Sequence, residues 1–203
     1  MSDGSISKDV PRETLERLRR FEGLLLKWNR RINLVSPRDE AHLWQRHIED
    51  SLQLLPLLPR AATRAIDLGS GGGFPGLVLA IASDLDFDLI EADQRKAAFL
   101  REAARVTDAP VHIHASRIEA TSLPAAHLVT ARALAPLGSL LTFAAPFLTQ
   151  DGQCLLLKGA NVEAELTDAA SEWHMQVDRI PSRTAPQACI LRISHLSRVH
   201  QTT

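Results

Sequence analysis

The 203-residue sequence contains no tyrosine, only two cysteines and a formal net charge of −1. Each cysteine, Cys154 and Cys189, lies in an apolar run where a buried, reduced thiol is expected, and a small secreted scaffold would carry more of them. The first ten residues are polar, and no later run reaches the roughly 18 apolar residues of a membrane span. We therefore expect a soluble cytoplasmic protein that does not use a membrane as a partner.

The first sixty residues have a helical pattern. From Pro11 to Ile32, large apolar residues recur every three or four positions, which is typical of an amphipathic helix with one apolar face. Two shorter helical stretches follow. Because the length suits one α/β domain with at most a short appendage, we predict an N-terminal helical cap over residues 1–60, packed on a single domain over residues 61–203.

After Arg60 the pattern changes to short β-rich runs that alternate with helical stretches. The predicted strands are 63–68, 86–91, 110–114, 127–131, 152–158, 174–180 and 187–194, and the predicted helices between them are 76–83, 95–106, 137–148 and 161–171. Strands that alternate with helices of this length favour a mostly parallel sheet. We therefore predict a Rossmann-like α/β fold with seven strands and helices on both faces.

A glycine-rich stretch, AIDLGSGGGFPG at 65–76, follows the first predicted strand. Glycines have no side chain, so a ligand can approach the backbone closely. At the start of a helix the backbone also presents N–H groups that have no partner within the helix. The segment from Gly71 to Gly76 fits the dinucleotide pattern G-x-G-x-x-G, with Glu91 at the spacing of a ribose-binding acid. The segment from Asp67 to Gly73 fits D-x-G-x-G-x-G, the first motif of S-adenosylmethionine-dependent methyltransferases. The loop alone leaves both cofactors open.

Six sequence segments, one of which contains this loop, favour one of these two cofactors. They are KWNRRINLVSPRDEAHLWQRHIEDSL (27–52), IDLGSGGGFPGLVLAI (66–81), LIEADQRKAAFLRE (89–102), SRIE (116–119), ARALAPL (131–137) and LLLKGANVEAEL (155–166). In this order and spacing they resemble the RsmG family, also called GidB, of bacterial methyltransferases that modify N7 of a guanine in small-subunit ribosomal RNA. The resemblance covers most of the chain.

The resemblance implies a class I methyltransferase fold, S-adenosylmethionine as cofactor and 16S ribosomal RNA, or the small ribosomal subunit, as substrate. The implied target is guanine 527 of the 530 loop, in the numbering of the RNA. Carried over by position, the cofactor contacts of the family are Gly69, Phe74, Ile118, Glu119 and Arg132. We further expect Asp67 and Gly71 close to the cofactor in the glycine loop, and Glu91 at its ribose.

Two basic residues end predicted strands near the expected position of the reactive methyl group. Arg132 follows the fourth strand and Lys158 ends the fifth. We predict a positioning role for both, since a guanidinium can bind a carboxylate or phosphate through two hydrogen bonds. The alternative is a structural ion pair, which for Arg132 would be formed with Asp67 or Glu91.

Absent motifs favour a ring nitrogen as the methyl acceptor. Methyltransferases of exocyclic amines commonly carry [DN]-P-P-[YFW] after strand four, where this chain has TARALAP at 130–136. Those acting at C5 of pyrimidines need a nucleophilic cysteine, and both cysteines lie in apolar runs. N7 of guanine has a free lone pair and no proton to lose, so positioning can supply most of the acceleration without a general base. Only the resemblance specifies N7 of guanine.

The histidines do not indicate a metal. His112 and His114 alternate on a predicted strand without a further set of partners, so we expect no metal site. His47 and Asp50 share a helical face in the block RHIEDS. They could form an orienting pair near the active cleft or could serve helix packing and capping.

Basic residues are concentrated in two segments. Between Arg17 and Arg38 there are seven basic residues and one acidic residue, and a second basic cluster follows the second strand. Such clusters match a phosphate backbone, although a solvated helix face remains an alternative. The predicted RNA contacts are Arg30, Arg31, Arg38, Arg95 and Lys96. We expect a monomer, and the rival functions are a nicotinamide oxidoreductase and a noncatalytic RNA-binding factor.

Overall fold

The computed structural model describes residue 6 and residues 10–199. Its N-terminal part is helical, as predicted, with turns between the helices. The elements are α1 (Arg12–Asn29), α2 (Pro37–Glu40), a π-helix (Trp44–Glu49), α3 (Asp50–Leu52) and a 3₁₀ turn (Leu55–Leu57). Helix α1 buries Leu18, Phe21 and Leu25. It ends before the predicted Ile32 because the side chain of Asn29 accepts hydrogen bonds from the amides of Leu34 and Val35 and turns the chain.

Seven strands form one sheet. The strands are β1 (Arg64–Leu68), β2 (Asp86–Ile90), β3 (Val111–His114), β4 (Ala126–Arg132), β5 (Leu148–Lys158), β6 (Trp173–Pro181) and β7 (Cys189–Arg198). Their order is β3-β2-β1-β4-β5-β7-β6. All pairs from β3 to β5 are parallel, and β7 runs antiparallel to both of its neighbours. The predicted mostly parallel, seven-stranded sheet is confirmed.

Helices cover both faces of this sheet. The remaining elements are α4 (Gly76–Ala82), α5 (Gln94–Thr107), a 3₁₀ turn (Ile118–Ala120), α6 (Leu137–Ala144), a 3₁₀ turn (Ala145–Phe147) and α7 (Val162–Ala170). Side chains alternate along each strand, so Ala65 and Leu128 join a core with α1, α4 and α5. Ile66 and Val129 join a second core with α6 and α7. Because α1 contributes to the first core, the N-terminal helix packs directly on the sheet domain.

Strand β5 begins earlier than predicted, at Leu148. The preceding helix ends at Ala144, since Pro146 has no N–H for a further helical turn. The register between β4 and β5 then shifts, with Ala126 opposite Leu148 but Leu128 opposite Gln153. This bulge explains why the long strand was predicted only from 152.

The strand order places a crevice at one edge of the sheet. β1 lies between β2 and β4, so the chain leaves β1 toward one side and returns to β4 from the other. In open α/β sheets, ligands bind outside the carboxyl ends of the strands at such a point. Helices of the described chain are all too short or too polar to span a bilayer.

Candidate functional site

The loop between β1 and α4 needs glycine for its backbone conformation. Gly69, Gly71 and Gly73 have φ values of 65°, 53° and 89°, a region that L residues rarely adopt. The loop therefore presents backbone at the carboxyl end of β1, without side chains at these three positions.

Asp67, near the end of β1, packs beneath the glycine loop against β4 and the start of α4. Its carboxylate is fully buried and accepts a hydrogen bond of 2.6 Å from Thr130 Oγ1 on β4. A Cβ added to Gly76 would lie 2.5 Å from the Cβ of Asp67, so only glycine fits at the start of α4. Burial raises the pKa of Asp67 from 3.8 to about 6, although contacts with Thr130, Ser70 and the Gly76 amide oppose the rise.

Glu91 joins the glycine loop to the end of β2. One carboxylate oxygen accepts from the amide of Gly71 at 2.8 Å, and the other accepts from the amide of Asp93 at 2.7 Å. Each oxygen of a carboxylate can accept a second hydrogen bond. Glu91 therefore shapes the loop and keeps acceptor capacity for a ligand hydroxyl.

The segment after β3 completes this side of the crevice. Ile118 is half-buried and Glu119 is exposed in the turn Ile118–Ala120. The side chains of Ser116 and Thr121, 2.6 Å apart, brace the turn. It follows β3, so both predicted residues lie at the same sheet edge as the glycine loop.

Phe74 connects the glycine loop to the N-terminal region. It is 8% exposed, and its ring meets Phe21 of α1 edge-on at 5.6 Å between centroids. His47 stacks on it at 4.9 Å. Burial, followed by the charge of Arg132, lowers the pKa of His47 from 6.5 to about 4, so this imidazole is neutral at pH 7. His47 therefore packs on Phe74 and does not pair with Asp50.

Arg132 ends β4 and is tied to the block RHIEDS. Its Nη2 donates to the carbonyl of Arg46 at 3.0 Å, and its Nη1 lies 3.4 Å from Oδ2 of Asp50. Its guanidinium carbon lies 6.0 Å from the ring centre of Phe74. The ion pair is thus formed with Asp50 and not with Asp67 or Glu91. Asp67 pairs in register with Thr130, so Arg132 lies beyond it along β4.

Asp50 is held by residues from a distant loop. Its Oδ1 accepts from Thr184 Oγ1 at 2.5 Å and from Gln53 Nε2 at 2.8 Å. The side chain of Gln53 also contacts this loop, since its Oε1 accepts a hydrogen bond of 2.9 Å from the amide of Arg183. The loop between β6 and β7 is therefore fastened to the N-terminal region beside Arg132.

Lys158 is engaged by Glu165 and by the turn after β4. Its Nζ lies 2.5 Å from Glu165 Oε2 and donates to the carbonyl of Ala135 at 3.2 Å. The same carboxylate oxygen accepts from the amide of Leu137 at 2.7 Å. The pair fixes the turn 133–136, whose Leu134 lies over Gly69, so that a Cβ on that glycine would be 2.6 Å from Leu134 Cδ1.

A cavity of about 720 Å³ opens on the other side of Arg132. We call it the β4–β5 cavity. Its lining includes Asp50, Arg132, Lys158, Asn161, Thr184 and Ala188. The glycine loop does not line it, but Arg132 both lines it and approaches Phe74 of that loop.

Exposed basic residues lie on the predicted RNA-binding segments. Within the described chain, no ion pair is formed by Arg30, Arg31 or Arg38, and all three are exposed. Arg95 is exposed, and its Nη2 lies 3.7 Å from Oδ2 of Asp93. Lys96 is half-buried. Arg17, by contrast, donates to three backbone carbonyls at the ends of α4 and α5. Part of the basic excess therefore anchors α1.

The described residues include no group of three or more histidine, cysteine, aspartate or glutamate side chains arranged to hold a metal ion.

Sequence reasoning missed several residues of this site. The sequence indicated Asp50 only as a possible partner of His47 or a helix-capping residue. It did not indicate Glu165 or Thr184 as site residues. Glu165 lies within the quoted block LLLKGANVEAEL, seven positions after Lys158, which is a usable signal. Thr184 lies in the connection between two strands, where no pattern indicates a contact with Asp50.

Solved methyltransferases share this fold. The crystal structure of a ribosomal protein L11 methylase from Lactobacillus delbrueckii subsp. bulgaricus matches with a TM-score of 0.58 and 16% identity, over 76% of this chain and 79% of that chain. TYW2 from M. jannaschii, in complex with AdoMet, matches with a TM-score of 0.58 and 15% identity, over 75% and 76%. The fold is that of the class I S-adenosylmethionine-dependent methyltransferases.

The sequence narrows this class to one family. The family model of GidB, rRNA small subunit methyltransferase G, matches residues 14–189. The ribosomal RNA small subunit methyltransferase G of Gluconobacter oxydans (strain 621H) is 59% identical over 190 residues, which cover 94% of this chain and 98% of that protein. The chain belongs to the GidB family, and the resemblance seen in the sequence is confirmed.

Proposed function

We propose that the protein transfers a methyl group from S-adenosylmethionine to N7 of a guanine in 16S ribosomal RNA, guanine 527 in the numbering of the RNA. Membership of the rRNA small subunit methyltransferase G family supports a small-subunit ribosomal RNA as the substrate. A cytoplasmic site of action follows from that substrate. The observation that carries the proposal is the meeting of the bare glycine loop, Glu91 and Arg132 at one edge of the sheet.

The residues at this edge fit the proposed cofactor. The left-handed glycines would let its methionine portion pass close to the backbone at Gly69, and Glu91 retains acceptors for ribose hydroxyls. Ile118 and Glu119 would offer an apolar contact and a hydrogen-bonding group to the adenine. When bound, S-adenosylmethionine supplies a methyl carbon that is activated by a positively charged sulfur.

The protein's own contribution is positioning. N7 carries its lone pair without needing deprotonation, so the site requires no general base. Arg132 is held by Asp50 and by the carbonyl of Arg46, which fixes its guanidinium beside the glycine loop. A fixed guanidinium can orient the acceptor, and holding reactants in a near-attack geometry contributes roughly 7 to 11 kcal/mol to catalysis. Lys158 acts one step away, through the turn that it fixes.

RNA binding is proposed for the exposed basic residues. Arg30, Arg31 and Arg38 lie between α1 and the π-helix, and Arg95 and Lys96 begin α5. Neutralised phosphates release counterions, so such residues contribute affinity that falls with salt. A large structured RNA would be bound mainly through its shape and phosphates, with the target base turned out of its stack.

The test is methyl transfer to two forms of the substrate. Purified protein is incubated with S-adenosylmethionine labelled at the methyl group and with either intact small subunits or naked 16S RNA. We expect incorporation at a single guanine in at least one of them. Lack of incorporation into both would favour a noncatalytic RNA-binding factor, and tight binding of NADH without the sulfonium cofactor would favour an oxidoreductase.

A further inference from the structure

We propose that the β4–β5 cavity is the binding site for the target base, and that Arg132 and Asp50 select guanine by reading its O6 and N1–H. The inference rests on the proposed function, because it requires that a purine of RNA is the acceptor. It assigns a ligand to a cavity and a recognition role to Asp50.

The cavity suits a flat heterocycle. Its volume of about 720 Å³ lies within the usual range of small-ligand sites. Small and apolar residues provide much of the lining, including Ala133, Ala160, Ala185 and Pro186. None of the described phenylalanines or tryptophans lines it, so the faces of the base would contact aliphatic side chains and the imidazole of His42. Polar groups must then recognise the edge of the base.

The Arg132–Asp50 pair places a donor beside an acceptor. Arg132 Nη1 is buried, has no hydrogen-bond partner among the described groups and lies 3.4 Å from Asp50 Oδ2, and both residues line the cavity. Asp50 Oδ2 has acceptor capacity left, because Gln53 and Thr184 both bond to Oδ1. Guanine presents the complementary pair, since its O6 accepts a hydrogen bond and the neighbouring N1–H donates one.

The contacts of these groups suggest why N7 would be the reacting atom. Arg132 approaches Phe74 of the glycine loop at 6.0 Å from its ring centre, and Asp50 lies on Arg132 and is bonded in turn by Thr184. In guanine, O6 lies between N7 and N1. When O6 faces Arg132 and N1–H faces Asp50, N7 therefore points back toward the glycine loop.

Adenine fits this pair only in the opposite orientation. Its amino group donates and its N1 accepts, so the amino group must face Asp50 and N1 must face Arg132. N7 lies on the amino side of N1, and in this orientation it points into the cavity and away from the glycine loop. The same two side chains would thus bind guanine productively and adenine unproductively.

The decisive test changes the base and leaves the protein intact. Wild-type protein is given small subunits rebuilt with ligated 16S RNA that carries guanine, inosine or 2,6-diaminopurine at the methylated position. All three have N7, but only guanine and inosine have O6 and N1–H. We expect inosine to react within about threefold of guanine and diaminopurine at least 10-fold more slowly. A rate for inosine as low as that for diaminopurine would overturn the proposal.

A matched pair of variants tests the carboxylate. Asp50→Asn should lower kcat/KM on guanine subunits by about 10- to 100-fold, the size of one good base contact. The affinity for S-adenosylhomocysteine, measured by calorimetry, should stay within twofold. Asp178→Asn removes another arginine-paired carboxylate, on β6 and outside the cavity lining, and should leave kcat/KM unchanged.

The outcomes separate this inference from the proposed function. If wild-type protein methylates guanine and Asp50→Asn does so equally well, the recognition role of Asp50 is wrong while the methyltransferase function stands. A parallel loss of S-adenosylhomocysteine affinity in Asp50→Asn would also overturn it, since the residue would then act on the cofactor side. If wild-type protein methylates none of the subunits, both proposals fail.

Discussion

The two sides of the crevice present different kinds of surface to a ligand, one mainly backbone and the other side chains. On the side of β1, β2 and β3, the surface offered to a ligand is mainly backbone, shaped by left-handed glycines and held by Glu91. On the side of β4 and β5, it is made of side chains from distant segments, such as Asp50 and Thr184, which are 134 residues apart in sequence. The first side is formed by segments that directly follow β1, β2 and β3, and the second is assembled from segments far apart in the sequence.

This difference matches what each side would bind. A backbone cradle fits one ligand shape, and it suits a cofactor that many enzymes share. A wall of side chains can change its recognition by single substitutions without disturbing the sheet, and it suits an acceptor that differs between enzymes. Arg132 stands at the boundary, because it contacts the carbonyl of Arg46 and Asp50 on one side and approaches Phe74 on the other.

The largest expected effect comes from removing the residue at this boundary. Arg132→Ala should reduce turnover by about 100- to 1,000-fold, the cost of losing one preorganised polar group in an active site. Arg132→Lys keeps the charge but loses the planar fork and should recover only part of the activity. The measurement is the single-turnover rate of methyl transfer at saturating cofactor.

Arg192→Ala is the matched control, since Arg192 also pairs with an aspartate but lies on β7 outside the cavity lining. It should retain full turnover. Near-normal turnover of Arg132→Ala, with an unchanged thermal melting temperature, would remove Arg132 from the reacting site.

The fold and the glycine loop were largely predictable from the sequence, for a physical reason. Strand periodicity and the glycine loop are local, so Asp67, Gly69 and Glu91 are recognisable from neighbours a few residues away. The pairing of Arg132 with Asp50 depends on how the N-terminal region packs on the sheet, and its predicted partners Asp67 and Glu91 are both occupied by other hydrogen bonds.

The predicted role of Lys158 shows the same limit. Its position at the end of β5 was predicted correctly, yet that position does not reveal whether a ligand or a protein group faces the ammonium. Glu165 and the carbonyl of Ala135 face it in the structure. The bend that begins β5 at Leu148 was equally hidden, because a bulge depends on the partner strand.

The next largest effect should come from the pair that braces the assembled side. Lys158→Met leaves the carboxylate of Glu165 without its cation and should lower the free energy of unfolding by about 3 kcal/mol, as is common when one partner of a buried pair is removed. Denaturant unfolding would measure this. The double variant Lys158→Met with Glu165→Gln removes both charges and should recover part of the loss.

Measurements on Lys158→Met also distinguish two roles for Lys158, positioning of the turn 133–136 and direct contact with the substrate. Positioning through the turn 133–136 predicts weaker binding of S-adenosylhomocysteine in Lys158→Met, because Leu134 lies over Gly69. A lower methylation rate with unchanged stability and cofactor affinity would instead show that Lys158 contacts the substrate.

A smaller effect concerns how stability depends on pH, where Asp67 and His47 act in opposite directions. Burial raises the pKa of Asp67 from 3.8 to about 6, so between these values the folded state holds more protons and stability falls as pH rises. The pKa of His47 is lowered from 6.5 to about 4, so the unfolded state holds more protons and stability rises with pH. The two contributions partly offset each other between pH 4 and 6.

Single variants should separate these contributions. Asp67→Asn should make stability rise more steeply from pH 4 to 6 than in the wild type, and His47→Gln should make it fall over the same range. Urea unfolding at closely spaced pH values gives the slopes. Equal slopes in both variants and the wild type would contradict the assignment of these shifts to Asp67 and His47.

The smallest effect should come from the surface outside both sides of the crevice. Arg30→Ala together with Arg31→Ala removes two exposed charges, so RNA binding should weaken several-fold at moderate salt. The slope of log K against log salt should become shallower by about two, one for each lost phosphate contact. Arg12→Ala, which removes an exposed arginine paired with Glu16 at the other end of α1, is the control and should leave the slope unchanged. If the double variant keeps the wild-type slope, this segment is a solvated helix face, and RNA contact must be sought elsewhere, beginning with Arg95 and Lys96.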